Sequence, residues 1–166
     1  MGKTGVLLAT ITTTVLLTGC HAFEVGCPAI AQASGVSVTV EARYAPAVKA
    51  LHFKACQDGL CKEADMELAP GFISVDQGCA DGSGPDGVCS ATSKPDGSKR
   101  AMLMLDVLTE SPMEVTASGT SIDGSPLPVR TLRFTPTGDY PFGEQCGRFV
   151  SASVVLDGAG LRQDVQ

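Results

Sequence analysis

The sequence predicts an all-β fold, a two-layer antiparallel β-sandwich of about seven strands. Three observations carry this reading. Apolar and polar residues alternate with period two in several short runs, Gly, Pro and Asp recur between those runs, and no stretch shows the spacing of a long amphipathic helix. A strand with one apolar face needs a second sheet to cover it, so two layers are favoured and a small closed barrel is the second choice.

The first element is "VSVTVEARY": Val36, Val38, Val40, Ala42 and Tyr44 share one face, and Ser37, Thr39, Glu41 and Arg43 the other. Pro46 interrupts the alternation, and "VKALHFKAC" resumes it with Leu51, Phe53 and Ala55 facing in and His52 and Lys54 facing out. Asp58-Gly59 turns the chain, so that Lys62 to Leu68 returns as a short strand, and Pro70-Gly71 bends it again before "FISV". Gly78 to Ser98 is rich in Gly, Asp, Ser and Pro and carries the turn signals Pro85-Asp86-Gly87 and Pro95-Asp96-Gly97. It reads as an irregular, solvated loop.

"AMLMLDVL" at 101–108 has almost no polar interruption. A central strand covered on both faces and a short helix both fit, and its length among β elements favours the strand. "MEVTASGTSI" and "VRTLRF" alternate once more, separated by Asp123-Gly124 and Pro126. "RFVSASVVLDG" closes the fold, with Val150, Ala152, Val154 and Leu156 on one side and Asp157-Gly158 at its end. The expected sandwich domain spans residues 35–161, and the polar tail 162–166 is expected to fray. Aromatic residues make up 5% of the chain and Trp is absent, so Val, Leu, Ala and Met must build the core.

The N-terminus has a different character. Lys3 is followed by the apolar run "GVLLATITTTVLLTG", which stops at Cys20. A short basic region, an apolar run of about fifteen residues and small residues at its end form a secretory signal peptide, and the run is too short for a permanent membrane span. Leu17-Thr18-Gly19-Cys20 resembles the lipobox of bacterial lipoprotein signal sequences, with Thr18 departing from the commonest small residues of that motif. The resemblance covers about the first twenty residues. It implies removal of residues 1–19 and a diacylglyceryl thioether on Cys20, the first residue of the mature chain. Two acyl chains anchor a protein durably where one does not. Residues 20–34 then form the lipidated N-terminus and a short tether.

Loss of the leader takes Lys3 from 12 basic residues and nothing from 18 acidic ones, leaving 11 against 18 and a formal charge of −7. Such a chain has no electrostatic route to nucleic acid. The 147 mature residues, 166 less 19, suit one domain.

Setting Cys20 aside leaves six cysteines: Cys27, Cys56, Cys61, Cys79, Cys89 and Cys146. An even set in an exported chain reads as a disulfide framework, for which fifteen connectivities exist. Spacing favours one of them. "CQDGLC" flanks a tight turn and suits Cys56–Cys61, "CADGSGPDGVC" encloses a glycine-rich loop and suits Cys79–Cys89, and Cys27 and Cys146 then join the two ends of the domain. Zinc fits less well, because paired CxxC knuckles are missing and no His is suitably near.

Catalytic groups are scarce. His21 adjoins the anchor and His52 lies on the outward register of a strand, where a solvated surface residue is the simplest reading. No G-x-S-x-G elbow, P-loop, H-E-x-x-H or dinucleotide fingerprint appears. Asp76, Asp81 and Asp86, in the 76–89 segment, are candidate calcium ligands, though the spacing departs from the EF-hand loop and lacks its closing Glu.

Beyond the leader, the chain resembles immunoglobulin-like domains of surface lipoproteins of high-GC Gram-positive bacteria. The likeness rests on the lipobox, Cys27-Pro28, the "CQDGLC" hairpin and Cys146 ahead of a valine-rich closing strand, without the Trp of antibody-type cores. It implies no particular chemistry. The expected function is that of a non-enzymatic binding or structural module, lipid-anchored on the outer face of the bacterial membrane, without a cofactor, whose partners are envelope proteins or wall polymer. The alternative is a small envelope hydrolase or a calcium-dependent carbohydrate-binding protein.

Overall fold

Val36, Val38 and Val40 alternate with polar residues, and in the computed structural model they form β1 (Gly35–Val40) with all three valines buried. The structure describes residues 26–29, 33–79 and 88–164. The alternation of the sequence continues to Tyr44, but the strand does not. Pro46, with a fixed φ and no N–H, sits in a 3-10 turn at Ala45–Ala47, and Tyr44 and Ala45 both donate backbone hydrogen bonds to the Glu41 carbonyl. This turn carries the chain into the second layer.

Nine further strands follow: β2 (Val48–Gln57), β3 (Leu60–Met66), β4 (Ala69–Cys79), β5 (Cys89–Met104), β6 (Met113–Ser121), β7 (Arg130–Phe134), β8 (Thr137–Asp139), β9 (Phe149–Leu156) and β10 (Leu161–Gln163). Ten strands among the described residues replace the expected seven or so. One sheet runs β10-β9-β1-β5-β4, with β8 also paired to β9; the other runs β3-β2-β6-β7. The pairs are antiparallel except for β1 and β9, which run parallel with Val36 beside Ala152 and Val40 beside Leu156. The fold is therefore a two-layer β-sandwich in which one pairing departs from the all-antiparallel expectation.

The inner faces meet in a single core. Val36, Val38, Val40, Leu103, Ala152, Val154 and Leu156 come from the first sheet, and Leu51, Phe53, Ala55, Met113, Val115, Ala117 and Phe134 from the second. Each fully buried Val, Leu or Phe contributes about 1.5–3 kcal/mol relative to exposure. A bulge between Val48 and Ala50 shifts the parity of β2, so Val48 is buried along with Leu51 and Phe53.

Three disulfides are present: Cys27–Cys146, Cys56–Cys61 and Cys79–Cys89, closing separations of 119, 5 and 10 residues. By the chain-entropy model, loop closure over such a long separation as the first contributes about 4–5 kcal/mol.

Three expectations are corrected. Within the segment 78–98 the described residues are not irregular: β4 continues to Cys79 and β5 begins at Cys89, so they belong to a two-stranded ribbon. Residues 101–108 are not one strand covered on both faces. β5 ends at Met104, and while Leu103 is buried, Met102 and Met104 are half exposed on the outer face. The tail is not wholly frayed, because β10 pairs with β9 and Asp164 donates its N–H to the Ser153 carbonyl at 2.8 Å. Residues 1–25, including the leader and Cys20, lie outside the described residues, as do Asp81 and Asp86.

Candidate functional site

Strand register gives the sandwich two distinct ends. At one end stand the starts of β1 and β9, with Gly35 opposite Met104 of β5. Cys146 precedes β9 there, so Cys27 enters the domain at this end. Glu110 accepts from Arg148 at 2.7 Å, while Gln57 donates to the Thr109 and Ser111 carbonyls at 2.9 and 2.7 Å. The β2–β3 turn, the β5–β6 loop and the β8–β9 loop are thereby joined.

At the opposite end β5 pairs with β1 only from Lys99, beside Val40, to Met104. Residues 89–98 continue past the end of β1 and pair with β4 alone. The result is an arm. With one step at Gly71 and seven paired positions past it, at about 3.3 Å per residue, it reaches about 25 Å beyond β1. The Cys79–Cys89 bridge lies at its far end, away from Cys27.

The base of the arm is an irregular junction. Register jumps from Pro70–Lys99 to Phe72–Pro95, so Gly71 faces the extra residues Asp96, Gly97 and Ser98. Gly97 takes φ 81°, a conformation that glycine adopts without strain. Asp96 Oδ1 accepts from the Ser98 N–H at 2.8 Å and from the Ser98 hydroxyl at 2.6 Å, and Oδ2 accepts from Arg100 at 3.3 Å. These bonds to Ser98, helped by the Arg100 charge, hold the Asp96 carboxyl below the ordinary carboxylate range.

Beyond the junction the arm has two faces. Ile73, Val75, Thr92 and Lys94 occupy one, where Gln77 donates to the Thr92 hydroxyl at 3.2 Å; Phe72, Ser74, Asp76, Ala91, Ser93 and Pro95 occupy the other. Phe72 and Ile73 are about half exposed, and Asp76 and Lys94 are the only charged residues in the described parts of the ribbon between Phe72 and Pro95. Neither long edge of the ribbon has a neighbouring strand. An exposed, sparsely charged strand edge is a template for pairing with an extended peptide.

Of the acidic candidates for calcium, only Asp76 is described, and its Oδ1 accepts from the Gly78 N–H at 2.7 Å within the second bulge of the arm. Among the described residues no group of three or more His, Cys, Asp or Glu side chains is placed to hold a metal. Cys20 and His21 lie outside the described residues.

His52 is on the outer face of the second sheet, as its register implies, and cross-strand pairing puts Asp65 on one side of it and Ser118 on the other. Its Nδ1 lies 2.9 Å from Asp65 Oδ1. That row is invisible to sequence spacing, because its members come from three strands. A shallow groove of about 280 Å³ runs beside Cys56, Pro112, Met113, Glu114 and Arg133, where Arg133 Nε donates to Glu114 at 2.5 Å. Its two charged groups neutralise one another.

Comparison with protein-family models, with curated proteins and with solved structures found no match.

Proposed function

We propose that this chain is a lipid-anchored β-sandwich of the bacterial cell envelope, acting outside the cytoplasm as a binding module through its β4–β5 arm. The observation that carries the proposal is the polarity of the fold: the arm extends from the end opposite the Cys27–Cys146 bridge. A body held through lipid on Cys20 then presents the arm away from the bilayer. Six cysteines closed into three bridges suit an oxidising compartment, and among the described residues no helix is long and apolar enough to cross a membrane. The partner class that suits the arm best is an extended segment of an envelope protein, because two sparsely charged strand edges offer backbone pairing rather than a charged or sugar-lined cleft.

Two measurements test this. Mass analysis of the N-terminal peptide from cells fed labelled palmitate should find a diacylglyceryl-modified Cys20, and Cys20→Ser should release the protein from membranes. Envelope proteins crosslinked to the full-length protein should be lost when residues 73–94 are replaced by a two-residue Asn-Gly turn. An unmodified thiol at position 20, or crosslinks indifferent to the arm, would refute the proposal.

A further inference from the structure

Four apolar side chains stand in solvent at the end of the sandwich that holds Cys27 and Cys146. Leu60, the first residue of β3 after the β2–β3 turn, is 77% exposed, and Val107, in the β5–β6 loop, is 66% exposed. Tyr140 and Phe142, in the β8–β9 loop, are 39% and 37% exposed. Cross-links hold these three loops as one surface. Thr109 Oγ1 donates to Asp58 at 3.2 Å, Lys62 pairs with Asp106 at 3.2 Å, and Arg148 pairs with Glu110 at 2.7 Å. Phe142 packs edge-on against Phe149 at 5.5 Å, and the Arg148 guanidinium lies 5.4 Å over the Tyr140 ring.

We infer that this end of the sandwich seats on the membrane surface, with Leu60, Val107, Tyr140 and Phe142 entering the headgroup layer of the bilayer. The inference rests on lipid attachment at Cys20. Cys27 lies seven positions after Cys20, a reach of at most about 25 Å even when fully extended. Cys27 is bonded to Cys146, close in sequence to Tyr140, Phe142 and Phe149. A lipid on Cys20 therefore keeps this end beside the bilayer. Phenylalanine and tyrosine suit the boundary between headgroups and acyl chains, and the stems of Arg148 and Lys62 lie along it while their charges stay wet.

Charge alone does not make the contact. Asp58, Asp106, Glu110, Glu114, Asp139 and Glu144 outnumber Lys62, Arg133 and Arg148 at this end. The seat is apolar, and uncharged phosphatidylcholine suffices for it.

The chain lacks Trp, so a single introduced indole reports its own surroundings. Full-length lipidated protein carrying Phe142→Trp is reconstituted into phosphatidylcholine vesicles with brominated acyl chains. Leu60→Trp, at the exposed start of β3, guards against a folding defect at 142. Ile122→Trp, on the β6–β7 turn at the opposite end, is the control. Quenching and a blue shift at 142 and 60, with neither at 122, are the expected results. Protein that floats with the vesicles while 142 and 60 remain unquenched would overturn the seat and leave the anchor standing. Protein that fails to float, with an unmodified Cys20 by mass, would overturn both.

Discussion

The Lys99 ammonium donates to the Val48 carbonyl at 2.7 Å, joining the two sheets where the arm leaves the sandwich. Val48 is buried at the start of β2, and Lys99 is the first residue of β5 to pair with β1. The arm thus departs from a fastened edge. Its rigidity depends on that base, where Gly71, Asp96 and Ser98 crowd together.

Gly71 has room for a side chain only if Ser98 and Asp96 give way. A Cβ there would collide with the Ser98 hydroxyl and crowd the Asp96 carboxylate, which already bonds Ser98. Gly71→Ala should therefore force Ser98 from its place and destabilise the protein by about 1–3 kcal/mol, the range for overpacking. Denaturant melts would read the loss, and faster amide exchange across the arm than in β2 would locate it. An unchanged midpoint would refute the packing argument.

The β6–β7 turn holds the most strongly shifted acid. The Ser121 hydroxyl and the Ser125 N–H and hydroxyl donate to the Asp123 carboxylate and lower its pKa to about 2. A group whose folded pKa lies below its unfolded value, near 3.8, contributes stability that is complete above that value and is lost as pH falls through the folded one. Stability should fall between about pH 4 and pH 2, and Asp123→Asn should flatten the fall. Carboxyl titration by NMR should give a midpoint near that of the folded group; an ordinary midpoint would contradict the geometry.

The strands that were legible in the sequence are those with one buried face. β1, β2, β6 and β9 alternate because the core takes every second side chain, and Leu51, Phe53 and Ala55 point inward as the pattern implies. The arm was illegible for the converse reason: neither of its faces packs on a core, so no period-two signal exists to find. Its Gly and Asp residues mimic a loop, although Gly78 and Gly97 serve bulges within paired strands. β8 and β10 are too short to carry a pattern. The polarity that carries the functional reading arises from register between distant strands, which spacing along the chain does not encode.

Cutting the longest bridge should weaken the whole domain. With Cys27 and Cys146 both changed to Ser, the closed loop disappears from the unfolded ensemble, and the loss should reach about 4–5 kcal/mol before native strain is considered. Paired replacement avoids a stray thiol. The Cys56–Cys61 bridge closes a far shorter loop on a hairpin already fixed by its turn, so its removal should cost less. Thermal melts of the two double variants would reverse this order if loop entropy were not the main contribution.

Asp65, His52 and Ser118 form the arrangement that most resembles catalytic machinery, and its surroundings argue against that role. A serine nucleophile needs an imidazole within hydrogen-bond reach and N–H groups aimed at a developing oxyanion. Among the described residues Asp65 is the hydrogen-bond partner found for His52, and the ring is substantially exposed on an open sheet. The β2 backbone around His52 pairs with β3 on one side and β6 on the other, so its N–H groups serve the ladders. Purified protein should therefore hydrolyse activated esters and wall fragments no faster than Ser118→Ala or His52→Ala variants do. Turnover by the natural chain that both substitutions abolish would make the row an active site and displace the binding-module reading.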